Sequence, residues 1–133
     1  MNFNPGFRLS FIDIIVLLLG VSLSLGLYSI IPLASFIILF VIGHFFLFCN
    51  VVRLSRVPEL VWASSFIILA GSTLLYELLS WLMVVLISLI TTILLVFLEM
   101  RKPGYHGILW QQINPNLKQW YSKKYQHLGA KNE

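Results

Sequence analysis

From Leu60 to Leu98 the chain carries a single charged side chain, Glu77. As one helix this run would extend about 58 Å, roughly twice the hydrocarbon thickness of a bilayer. It must therefore turn back, and the only polar cluster within it runs from Tyr76-Glu77 to Ser80-Trp81. The reading is two membrane spans, 60–76 and 78–98. Upstream, 11–28 and 33–52 are apolar runs of similar length, the second with no formally charged residue. A span needs about 20 mainly apolar residues, so each run qualifies.

The boundaries have local causes. Ser10 and Asp13 form an S-x-x-D capping box at the start of the first span, where Asp13 also faces the positive end of the helix dipole. The connection 29–32 is very short, and Pro32 suits a first helical turn because its missing N–H is not needed there. Spans one and two thus form a tight antiparallel hairpin. The segment 53–59 breaks the pattern with Arg53, Arg56, Pro58 and Glu59. Pro103-Gly104 stops the fourth span. The expected fold is an all-α integral membrane protein: a four-transmembrane-helix antiparallel bundle over 1–104, followed by a tail, 105–133, with a C-terminal interfacial amphipathic helix.

Charge gives an independent check. The charged fraction is 11% and the apolar fraction 59%, too little charge to cover a soluble surface. With four spans, Arg8, Arg53, Arg56, Arg101, Lys102, Lys118, Lys123, Lys124 and Lys131 all fall on one side. The positive-inside rule makes that side cytoplasmic, with both termini there and the protein in a cell inner membrane. A three-span chain would put the basic tail outside. Tyr28, Tyr76 and Trp81 fall at the expected outer boundary and Phe7 and Trp62 at the inner one, where amphipathic rings are favoured. The net charge of +4 accompanies apolar runs, so it points to headgroups and topology and away from nucleic acid.

In the tail, Asn114-Pro115 reads as an N-cap followed by an N1 proline. Leu117, Trp120, Tyr121 and Leu128 then recur at helical spacing, with Lys118, Lys123 and Lys124 between them. That pattern suits a helix in the headgroup region anchored by its Leu, Trp and Tyr side chains. Ile108, Leu109, Trp110 and Ile113 suggest a shorter turn before it.

His44, near the middle of span two, is the candidate for cofactor binding, proton relay or a polar path, since ionisable groups at that depth are costly and often functional. The alternative is a neutral imidazole hydrogen-bonded to a hydroxyl on a neighbouring helix, with Thr91 and Thr92 at matching depth. Asn50, Arg53, Arg56 and Glu59 form a polar cluster at the cytoplasmic boundary. Asn50 and Arg53 share a helix face and could hold an anionic headgroup or a carboxylate. Alternatively Asn50 caps the helix and the arginines set topology. The small-xxx-small pairs Gly20/Ser24 and Ser22/Gly26, with Gly71-Ser72 in span three, mark close helix approach. The lone Cys49 cannot form an internal disulfide and reads as a packed hydrophobe.

No phosphate loop, nucleophile elbow, zinc motif or paired carboxylates occur in the sequence. The expectation is a small non-catalytic membrane subunit that requires no cofactor. It would bind lipids and pack against other membrane subunits or itself. An oligomeric transporter or flippase using His44, or a cofactor-binding electron-transfer subunit, are the alternatives.

Overall fold

The computed structural model describes residues 4–129, with side chains described to Lys124. The described residues are all-helical: α1 (Phe11–Tyr28), α2 (Pro32–Phe46) continuing as a π-helical segment (Leu47–Val52), α3 (Arg56–Tyr76), α4 (Trp81–Met100), α5 (Trp110–Ile113) and α6 (Leu117–Gly129). Four helices are long and apolar enough to cross a membrane: Phe11–Tyr28, Pro32–Val52, Arg56–Tyr76 and Trp81–Met100. Large apolar side chains such as Leu18, Leu25, Phe36, Leu39, Ile67, Leu75, Ile90 and Ile93 stand exposed along all four of these helices. Water would not tolerate such faces, whereas lipid would, so the four helices suggest a multi-pass membrane protein.

By contacts the chain divides into two compact units. The first holds the chain up to Arg53 together with His106–Ile108. The second holds Leu54–Tyr105 and the chain from Leu109.

In the first unit α1 and α2 form a hairpin. The backbone N–H groups of Ile30 and Ile31 both close on the Leu27 carbonyl, and Pro32 opens α2 directly after them. At α1's start the Ser10 N–H donates to Asp13 Oδ2 at 2.7 Å, the carboxylate half of the expected capping box. The tail returns to this unit: the Gly6 N–H donates to the His106 carbonyl at 2.8 Å, and the Ile108 N–H to the Val51 carbonyl at 2.9 Å. Gly6 has φ 104°, a backbone conformation that glycine adopts without steric cost.

In the second unit α3 and α4 form another hairpin, and here the expected boundaries shift. α3 begins at Arg56 rather than at 60, because Ser55 stands at its N-cap and Pro58 is tolerated in the first turn. Arg56 and Glu59 are therefore helical residues, not loop residues. The reversal occupies Glu77–Ser80, so α4 starts at Trp81 rather than at 78. Glu77 ends α3 in the left-handed region (φ 52°), and Ser80 Oγ accepts from the Met83 N–H at 3.3 Å. Trp62, expected at the interface, is instead buried in this unit. Its ring stacks on Phe66 at 5.3 Å, and Nε1 donates to Thr92 Oγ1 at 2.9 Å and to the Ser88 carbonyl at 3.3 Å on α4. Such a bond between helices replaces one that the indole could not find in hydrocarbon.

Candidate functional site

His44 is buried just past the middle of the second span. Its Nδ1 lies 2.7 Å from the Phe40 carbonyl, one turn earlier on its own helix. A carbonyl only accepts, so this bond places the proton on Nδ1. The imidazole sits in a ladder of rings at i, i+4 spacing, 4.3 Å from Phe40 and 5.8 Å from Phe48. The expected hydroxyl partners hold other bonds. Thr91 donates to the Ile87 carbonyl, and Thr92 donates to the Ser88 carbonyl while accepting from Trp62. Among the described residues no group of three or more His, Cys, Asp or Glu is placed to hold a metal ion.

The boundary cluster is rearranged. Asn50 and Arg53 do not act from one helix face, because residues 47–52 are wound as a π-helix and Arg53 follows in the left-handed region (φ 55°). The wider π turn rotates Asn50 inward, and Arg53, not Asn50, closes the helix. Asn50 is 2% exposed. With its amide oriented to satisfy the surrounding acceptors, Nδ2 donates to the Arg8 carbonyl at 2.5 Å and to Asp13 Oδ2 at 2.8 Å. Its own carbonyl accepts the Arg8 N–H at 3.1 Å. Asn50 thus pins the entry of α1 to the exit of α2. Arg53 is half-buried, and its Nη1 donates to the Asn4 carbonyl at 2.6 Å. Burial first, and the like charge of Arg8 second, push the Arg53 guanidinium below its ordinary pKa.

A second polar site, in the α3–α4 unit, was not singled out from sequence. Glu99 is 7% exposed, near the end of α4. Its carboxylate accepts from the Ser55 N–H and Oγ, each at 3.2 Å, and pairs with Lys102 Nζ at 2.5 Å. It therefore serves the Ser55 N–H at the start of α3 from the end of α4. The signals were present, a Glu three residues before a Lys and a serine before a helix, but nothing in the sequence joins residues 55 and 99. Tyr105 lies buried after this turn, and burial, followed by the charge of Glu99, raises its phenol above the ordinary range.

The small residues separate by face. Gly20 and Ser24 are buried against α2: a Cβ on Gly20 would overlap Ile42 Cδ1, and Ser24 Oγ lies 2.7 Å from Ser35 Oγ while donating to the Ser35 carbonyl at 3.0 Å. Ser22 and Gly26 are exposed, and nothing lies within 4 Å of a Cβ on Gly26. Gly71 likewise has open space at its Cβ, and Ser72 Oγ donates back to the Leu69 carbonyl of its own helix.

The tail departs from its expected role. Asn114 is not the N-cap of α6. It closes α5, and its Nδ2 donates to the carbonyls of Pro103 at 2.5 Å and Tyr105 at 3.5 Å. The Trp120 N–H closes on the Asn116 carbonyl, so α6 starts two residues later than expected. Leu117, expected to face membrane or partner, is 1% exposed. Trp120 packs on Gly104, where a Cβ would stand 2.9 Å from its ring. These two anchors are thus engaged by the protein itself. Tyr121 is half-buried, whereas Lys118, Lys123 and Lys124 are exposed, with Lys124 Nζ 4.9 Å from the centre of the Trp120 ring. The Leu128 side chain and Lys131 lie outside what is described.

No family model, curated protein or solved structure matches this chain.

Chemistry therefore has to be argued from the side chains alone. Among the described residues, every buried side-chain nitrogen or oxygen has a hydrogen-bond partner. Groups satisfied in this way hold helices in register, since breaking such a bond inside lipid leaves a costly unpaired dipole.

Proposed function

We propose that the chain is a small non-catalytic subunit of a larger membrane assembly. It forms an antiparallel four-helix bundle in a cell inner membrane, with both termini in the cytoplasm. The observation that carries this reading is the division of labour between faces. The polar side chains buried in the described residues are occupied internally, while apolar helix faces and the Ser22/Gly26 side of α1 are left open. A surface of that kind suits lipid and close helix approach by another subunit or a second copy. No cofactor is required by this reading. In it, α6 lies at the headgroup level and presents Lys118, Lys123 and Lys124, each contributing about 1 kcal/mol near an anionic surface. Because Leu117 and Trp120 are packed on the chain itself, this association is more electrostatic than insertive.

The test is mass spectrometry of the native material after mild solubilisation. A reproducible partner or a defined homo-oligomer is expected, and Gly26→Leu should reduce it while leaving the hairpin stable. Recovery as a monomer under every mild condition would overturn the proposal. The transporter reading depends on His44, and reconstituted flux that falls in His44→Ala would restore it.

A further inference from the structure

The end of the first unit holds a charge imbalance that the subunit reading does not use. Up to Arg53 the chain contains two arginines, Arg8 and Arg53, and no lysine. The only acid over the same stretch is Asp13. Asp13 Oδ2 is turned toward the Ser10 N–H and the Asn50 amide. Both arginines are fixed at one end of the α1–α2 hairpin. Arg8 precedes α1 by three residues, and its backbone is gripped on both sides by Asn50. Arg53 directly follows the span Pro32–Val52, and its guanidinium is clamped to the carbonyl of Asn4, four residues before Arg8. The positions where the two spans enter and leave hydrocarbon set both guanidiniums at headgroup depth.

We propose that Arg8 and Arg53 form a binding site for the phosphate of an anionic phospholipid at this end of the hairpin. A guanidinium does not shed its proton in a protein, so a half-buried one beside a like charge favours an anion as its neighbour. Its planar fork matches two phosphate oxygens at once, and a second arginine can take the remaining ones. Arg53 uses Nη1 on Asn4, which aims the side chain and leaves its other N–H groups for a ligand. Arg8 is exposed and supplies the mobile half of the clamp. Asn50, which the sequence allows as either a ligand or a helix cap, ties the Arg8 backbone to the end of the second span. The site depends on the membrane placement of the hairpin but not on any protein partner.

The experiment uses the full-length protein in mild detergent, titrated with phosphatidic acid, phosphatidylcholine or inorganic phosphate and read by native mass spectrometry. Phosphatidic acid should be retained at about tenfold lower concentration than phosphatidylcholine, the scale of one charge-assisted hydrogen bond. Arg8→Gln leaves both backbone bonds to Asn50 intact and should lower that preference severalfold, while Arg8→Lys should keep most of it. Equal retention of the two lipids by the wild type, or an unchanged preference in Arg8→Gln, overturns the site. Displacement of phosphatidic acid by inorganic phosphate at equal concentration would overturn the lipid as its ligand. None of these outcomes bears on whether the chain has a protein partner.

Discussion

Gly20 and Gly26 look equivalent in the sequence, each one member of a small-xxx-small pair on α1. Only Gly20 has a neighbour where its Cβ would be. Gly20→Ala should force Ile42 into another rotamer, at about 0.5–1.5 kcal/mol. Gly20→Leu should cost about 1–3 kcal/mol through overpacking, and Ile42→Ala should return part of that. Gly26→Ala should cost nothing within the chain. Thermal unfolding of the purified variants checks all four, and equal losses at both glycines would mean that α1 packs by a different face. Spacing could reveal two candidate faces but not which one meets α2, because that choice is made by Ile42 and Ser35, on another helix. Tyr105 supplies a second expectation at this scale. Its raised phenol pKa means that the folded state binds the proton more tightly than the unfolded chain does. The associated stability is complete below the ordinary tyrosine value of about 10 and is lost as pH rises from there through the raised value. Tyr105→Phe should therefore flatten the fall in stability above about pH 10 when its unfolding midpoint is followed against pH beside the wild type.

Helices were readable wherever apolar length decided the matter, and less so where winding or a distant side chain did. The end of α2 is the clearest case. A regular helix through 47–53 would put Asn50 and Arg53 on one face, which is how the sequence reads. The π turn adds most of a residue per turn and so separates them, and no residue type in Leu47–Val52 announces it. The start of α3 is another. Ser55 is a recognisable cap, but the carboxylate it meets comes from Glu99 on the next helix. Glu99→Ala should remove hydrogen bonds to a charged acceptor and cost about 1.5–3 kcal/mol. Lys102→Ala should cost well under about 1 kcal/mol, because the lysine is 48% exposed and its pair is screened. Denaturant unfolding in detergent distinguishes the two, and comparable losses would show that Lys102, whose Nζ also donates to Ser55 Oγ at 3.0 Å, holds α3 to α4 as much as Glu99 does. The tail followed the same rule: its helix was legible from Leu, Trp and Tyr spacing, but the Gly104 surface that takes up Trp120 was not.

At the scale of the whole chain, the four spans follow from hydrocarbon thickness alone, which is why they could be counted before any contact was known. Their direction rests on a different quantity. The nine basic residues all lie before α1, between α2 and the first turn of α3, or after α4, and none lies in the reversals 29–31 or 77–80. Moving even one such segment across the membrane against the potential would be unfavourable by about 2.3 kcal/mol per charge per 100 mV. That cost is the ground for the proposed orientation, with every basic segment in the cytoplasm. In a Cys49→Ser background, cysteines at Ser29 and Leu79 should react with a membrane-impermeant thiol reagent on intact cells. A cysteine at Lys123 should react only after permeabilisation. The two reversals must behave alike, because an odd number of spans would expose one of them together with the tail. Labelling at position 123 in intact cells would thus refute the cytoplasmic tail, and the reversals would tell why: neither reacts in an inverted chain, and one reacts if the number of crossings is odd.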